Sequence, residues 1–218
     1  MGSLSIIFGH YGCGKTNLSL NLAFDAAKRG EKVTIADMDI VNPYFRTTDY
    51  ADALTDRGIR VIKPSLAGST VDAPSLSSEI YSAFETDGTV IIDVGGDDAG
   101  AGALGRFCEK INAIEKKEIL YVVNRFRPAT AKPEDAVQIL REIEKACKLK
   151  ADAIVNNSHL CTLTEPEDIL KGYEYALKVS ELSGLPLKMT TVNESLYKEL
   201  MGKIPDIYRV QTYVKLPF

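Results

Sequence analysis

The chain has 218 residues, 45 % of them hydrophobic, with a net charge of −4 and a pI near 5.4. This length suits one sizeable α/β domain over residues 1–218, and the acidic balance leaves no basic field for nucleic acid or an anionic membrane. Four scattered cysteines, Cys13, Cys108, Cys147 and Cys161, form no C-x-C or C-x-x-C pair, and no apolar run reaches the roughly 18 residues of a membrane span, which excludes a disulfide framework, a self-contained cysteine metal site and a spanning helix.

In chain order, the first apolar run, Leu4-Ser5-Ile6-Ile7-Phe8, reads as a strand and begins too close to Met1 for a secretory leader. It leads into Gly9-His10-Tyr11-Gly12-Cys13-Gly14-Lys15-Thr16, a complete phosphate-binding P-loop followed by Asn17. Glycines at these positions let backbone N–H groups turn inward around an anion, Lys15 can reach the β- and γ-phosphates, and the Thr16 hydroxyl can ligate Mg²⁺. A helix follows, with apolar residues at Leu18, Leu22, Ala23, Ala26 and Ala27 and a stop at Gly30, and its positive end faces the same phosphates. Further strands are expected at 32–36, 59–62, 89–93, 118–123 and 151–155, with a short peripheral one at 185–189. Helical patterns lie near 75–86, 101–116, 133–148, 166–183 and 193–201. The strands are near-continuous apolar runs, so the expected fold class is α/β: a doubly wound, mostly parallel sheet with helices on both faces. In the tail, 203–218, alternation of Val210, Thr212, Val214 and Leu216 with polar residues predicts an edge strand.

The other parts of a nucleotide site fall at predicted strand ends. Asp93 closes an apolar strand inside Asp93-Val94-Gly95-Gly96, placing a carboxylate for the Mg²⁺ shell and a glycine N–H at Gly96 to sense a γ-phosphate. The second strand ends in Asp37-Met38-Asp39, where Asp39 is expected to orient an attacking water and Asp37 to support the metal shell. Gly95, Gly96, Gly100, Gly102 and Gly105 make the following segment either a mobile switch or a plain flexible loop. Guanine readout by N-K-x-D needs an aspartate three residues after the asparagine. Asn124 is followed at that spacing by Arg127, and Asn156 by His159. An asparagine amide can instead donate and accept on adenine, so ATP or ADP is the expected ligand and Asn156 the expected base contact. Asn42-Pro43-Tyr44-Phe45-Arg46 sits where a first switch would lie, its aromatics suited equally to a partner surface or to packing.

These residues carry a resemblance. The P-loop, Asp37-Met38-Asp39, Asp93-x-x-Gly96 and the late strand ending in Asn156 resemble the MinD/ParA/Mrp group of P-loop ATPases over roughly residues 1–190. The resemblance implies Mg-ATP binding, often a nucleotide-dependent homodimer, and the roles given above for Lys15, Thr16, Asp39, Asp93 and Asn156. In that group the second P-loop position is usually a lysine reaching the partner's nucleotide; here it is His10, shorter and only partly charged near neutral pH. The implied function is a cytoplasmic switch ATPase that hydrolyses ATP slowly by in-line attack of water, with a protein partner and without nucleic acid or membrane binding. The alternatives are an ATP-dependent small-molecule synthase of the dethiobiotin or cobyrinate type and a nucleotide-binding module that does not hydrolyse.

Overall fold

The computed structural model describes residues 2–39, 47–66, 74–75, 79–96 and 98–214. Its strands are β1 (Ser3–Phe8), β2 (Val33–Met38), β3 (Arg60–Ile62), β4 (Ser65–Leu66), β5 (Pro74–Ser75), β6 (Thr89–Val94), β7 (Lys117–Val123), β8 (Ala153–Asn156), β9 (Leu187–Asn193) and β10 (Ile207–Val210). The helices are α1 (Lys15–Lys28), α2 (Ala51–Thr55), α3 (Ile80–Ala83), α4 (Asp98–Gly105), α5 (Cys108–Asn112), α6 (Pro133–Cys147), α7 (Pro166–Ser183) and α8 (Glu194–Leu200). Eight strands make one sheet in the order β10-β9-β8-β7-β1-β6-β2-β3, and β4 pairs antiparallel with β5 apart from it. Every neighbouring pair in the large sheet is parallel.

An all-parallel sheet needs both faces covered, because each crossover lays a helix on one of them. On one face Leu4, Ile6 and Phe8 of β1 pack with residues of α4, α6 and α7, among them Leu104, Leu140 and Ala176. On the other, Ile7 packs with Leu18, Leu20, Ala23 and Phe24 of α1 and Leu54 of α2. Alternate β1 side chains therefore enter opposite cores, and the fold is the doubly wound α/β arrangement of P-loop proteins. α7 starts on Pro166 with a reciprocal Glu165–Asp168 capping box and stops at left-handed Gly184.

Several elements differ from the sequence reading: among the described residues the helix expected over 75–86 covers only Ile80–Ala83, with Ser75 in β5, and α2, β4 and β5 were not anticipated. The glycine-rich stretch after Asp93 is helical from Asp98, and the single helix expected over 101–116 is two, α4 and α5. At the break a Cβ on Gly105 would lie 2.9 Å from the Ala146 carbonyl, so α4 ends hard against α6. The strand expected to be peripheral at 185–189 runs from Leu187 to Asn193 and carries β10 outside it. Asn42 to Arg46 lie outside the described residues.

Candidate nucleotide site

β1 sits between β6 and β7, so its carboxyl end opens into the crevice where the chain departs to both sides of the sheet. Gly14 takes φ +88, and a Cβ there would fall 2.2 Å from Asn157 Nδ2. Glycine is required on both counts. From Gly14 the chain turns directly into α1, with Leu18 N donating to the Gly14 carbonyl at 3.1 Å. Lys15 is buried, and its Nζ donates to the His10 carbonyl at 3.1 Å, which lays the ammonium across the loop. Gly96 comes up from below: a Cβ on it would meet Tyr11 N at 2.7 Å and Lys15 Nζ at 2.9 Å. The fold thus brings His10, Tyr11, Lys15 and Gly96 to one place.

The carboxylates separate into two roles. Asp93 Oδ2 accepts from Thr16 Oγ1 at 2.7 Å and from Thr47 Oγ1 at 2.8 Å, while Oδ1 accepts from Ser19 Oγ at 3.3 Å. Burial, and then the charge of Asp37, push the Asp93 carboxyl up to about 6. Asp37 is also raised by burial and likewise accepts three bonds, two of them from the backbone: Oδ1 from Asp39 N at 3.0 Å, and Oδ2 from Thr48 N at 3.0 Å and Thr48 Oγ1 at 2.7 Å, whereas the donors to Asp93 are all hydroxyls, one of them from the P-loop. Asp39 lies against Gly95 and lines the cavity beside the P-loop. Thr16 and Asp93 are the pair whose chemistry fits Mg²⁺, a hard cation that takes one or two carboxylates and fills its shell with phosphate oxygens and water. No group of three or more His, Cys, Asp or Glu able to hold a metal exists among the described residues.

The cavity above the loop has a volume of about 240 Å³. Tyr11, Gly12 and Gly14 to Asn17 form its floor; Arg127, Asn157, His159, Thr191 and Asn193 form one wall, and Val210, Thr212 and Val214 of the tail another. Asn156 is not in that wall. It is fully buried, its Oδ1 accepting from Ser158 N at 3.2 Å and its Nδ2 donating to Thr190 Oγ1 at 3.4 Å. Asn157, one residue on, lines the cavity and donates from Nδ2 to the Cys13 carbonyl at 2.6 Å, while Thr191 Oγ1 donates to its Oδ1. The structure thus places the expected base contact, Asn156, outside the residues that line this cavity, and turns Asn157 toward the P-loop instead: consecutive residues at a strand end point to opposite sides.

Asn17 lines the cavity with its side chain already engaged. Its Nδ2 donates to the Gln211 carbonyl at 3.0 Å, and its Oδ1 accepts from Tyr213 N at 2.8 Å and Val214 N at 3.2 Å. Asn21, one turn on, brackets Gln211, accepting from its N and donating to its carbonyl, both at 2.8 Å. Tyr213 completes the seat against Phe24, ring centroids 4.7 Å apart. Burial and then the neighbouring Lys15 charge lower the His10 imidazole below its ordinary value, which favours the uncharged ring. His159 is pulled down to about 4 by burial and then by the Arg127 charge. Sequence reading missed Thr47, Thr48, Asn157 and the docking of the tail. The hydroxyl pair Thr47-Thr48 ten residues after Asp37 was the available signal for the first two. A second cavity, about 300 Å³, lies at the opposite, amino ends of the strands beside Leu4 and Phe84, and has none of these groups.

The model of the CobQ/CobB/MinD/ParA nucleotide binding domain matches residues 4–164. No curated protein matches the chain. Among solved structures, FtsY from Mycoplasma mycoides is similar at 21 % identity with a TM-score of 0.59, over 88 % of this chain and 60 % of that one. The cell division protein FtsY from Thermotoga maritima is similar at 20 % identity and TM-score 0.58, over 88 % and 62 %. The 54 kDa protein of the signal recognition particle from Aeropyrum pernix K1, in complex with GDP, is similar at 16 % identity and TM-score 0.57, over 87 % and 41 %. The chain spans about three fifths of the length of the two FtsY structures, and at these identities the likeness is one of fold.

Proposed function

The chain belongs to the CobQ/CobB/MinD/ParA nucleotide-binding domain family, and from that premise we propose that it is an Mg-ATP-binding switch ATPase with slow turnover, dimeric when ATP is bound. The observation that carries this is the Thr16 Oγ1–Asp93 Oδ2 bond of 2.7 Å beside the buried Lys15, which brings a P-loop hydroxyl, a strand-end carboxylate and an ammonium to one crevice. Four free cysteines support a cytoplasmic setting.

The cavity wall favours adenine over guanine. Asp39 supplies its one carboxylate among the described residues, and Asp39 stands at the P-loop end. The strand-end asparagines 124, 156 and 157 are followed three residues later by Arg127, His159 and Leu160, so none provides a carboxylate to accept from guanine N1 and N2. That wall is lined instead by uncharged groups such as Thr212 and Asn193, whose Nδ2 donates to Thr212 Oγ1 at 2.9 Å while its Oδ1 caps α8 by accepting from Ser195 N at 3.0 Å.

In this reading Thr16 and Asp93 would hold Mg²⁺, which when bound neutralises charge on the phosphates. Lys15 releases the His10 carbonyl to reach the β- and γ-phosphates. Asp39 orients water for in-line attack, and Gly96 offers its N–H to the γ-phosphate. Slow turnover is supported by His10, which is shorter than the lysine usual at this position and is shifted toward the uncharged form by burial and by Lys15. The same residue favours a second reading, a module that binds ATP without hydrolysing it. Titration calorimetry with MgATP tests the site: the wild type is expected to bind and Lys15→Ala to lose at least about a hundredfold in affinity. Equal binding by both would refute the proposal.

A further inference from the structure

We infer that Arg127 is a second cationic ligand of the phosphate chain, supplied in cis by the loop after β7; the inference rests on the nucleotide-binding reading above. Arg127 Nε donates to the Gly12 carbonyl at 2.6 Å, so the guanidinium lies along the P-loop itself. The side chain is half-buried and lines the cavity. It has no carboxylate partner and no acceptor for Nη1 or Nη2 among the described residues. A partly desolvated cation with free paired N–H groups is matched to two oxygens of a phosphate.

The mounting is rigid. Asn124 Oδ1 accepts from Phe126 N at 2.9 Å, and the Asn124 carbonyl accepts from Arg127 N at 3.2 Å and Thr130 Oγ1 at 2.8 Å. Pro128 then holds Arg127 extended, at φ −97 and ψ 129, before a 3-10 turn over Pro128–Thr130. A guanidinium held this way loses little freedom on meeting an anion. Its wall neighbour accommodates it. His159 Nδ1 accepts from Cys161 N at 3.0 Å, which puts the ring proton on Nε2 next to Gly14 and keeps the imidazole uncharged beside Arg127. Lys15 and Arg127 are then the two cations lining the cavity among the described residues. Where a lysine at position 10 would reach over from a partner subunit, this chain offers a charge from its own β7 loop.

The test is titration calorimetry of full-length wild type, Arg127→Gln and Arg127→Lys with MgATP and MgADP at several NaCl concentrations, with thermal melts of each. Gln keeps a donor for the Gly12 carbonyl and loses the charge. The expected result is an affinity loss of about tenfold or more in Arg127→Gln with a flatter salt dependence, substantial recovery of both in Arg127→Lys, and unchanged melting of the nucleotide-free proteins. Wild-type affinity in Arg127→Gln would overturn the inference alone. So would a Lys variant as weak as the Gln variant with both melting early, since that marks a purely structural bond. A wild type that binds neither ATP nor GTP would overturn the nucleotide reading and this inference with it.

Discussion

Replacing Asp93 by Asn is expected to stabilise the nucleotide-free protein at neutral pH while removing the proposed metal ligand. The carboxyl rises from 3.8 to about 6, chiefly through burial. At about 1.36 kcal/mol per pKa unit, that shift costs the ionised folded state about 3 kcal/mol. Below pH 3.8 the folded and unfolded chains are both protonated at this position, and no penalty exists. Between 3.8 and about 6 the unfolded chain gives up its proton first, so this group's contribution to stability falls as pH rises; above about 6 the loss is complete. Asn does not titrate, and its Oδ1 can still accept from Thr16 and Thr47. Allowing about 1 kcal/mol for hydrogen bonds weakened by loss of charge, the variant gains about 2 kcal/mol above pH 7, or about 4–8 °C in melting temperature. Thermal and urea unfolding in EDTA from pH 4.5 to 8 would show the advantage growing with pH. A variant less stable than the wild type at pH 8, or a difference that does not change with pH, would refute this account of Asp93.

Two further substitutions probe the loop and the tail. His10→Lys is expected to raise ATP turnover by about tenfold or more, measured by phosphate release, because lysine is longer and fully charged where the native imidazole is shifted toward its uncharged form; unchanged turnover would remove His10 from the proposed account of slow hydrolysis. Asn21→Ala removes both bonds that bracket Gln211, an expected loss of about 1–2 kcal/mol. Hydrogen exchange should then quicken at residues 211–214, and protection equal to the wild type would show that the tail is held by Tyr213 packing instead.

β1, the P-loop and α1 were legible because glycine spacing and an apolar run constrain backbone and ligand together. Asp93 was legible for the same reason, as an acid ending a buried strand. The direction of Asn156 was not legible, because an apolar run marks a strand but not the side to which its last residue points; the fold turns its amide to Ser158 and Thr190. Thr47 and Thr48 act through hydroxyls on buried carboxylates, and a hydroxyl leaves no periodic trace in a sequence. Arg127 entered the sequence reading only as the residue where guanine readout needs an aspartate; its bond to Gly12 joins residues 115 apart and appears only in the fold. The tail alternates as a strand through Leu216, yet pairing with β9 stops at Val210. Beyond it the backbone turns its N–H and carbonyl groups to Asn17 and Asn21 of α1.

The most direct test of the nucleotide assignment is a side-by-side calorimetric titration of the wild-type chain with MgATP and MgGTP. The account predicts saturable binding of one ATP per chain, at least about tenfold tighter than GTP, as expected where no carboxylate meets the guanine edge. GTP binding as tight as ATP or tighter, or no binding of either, would contradict it.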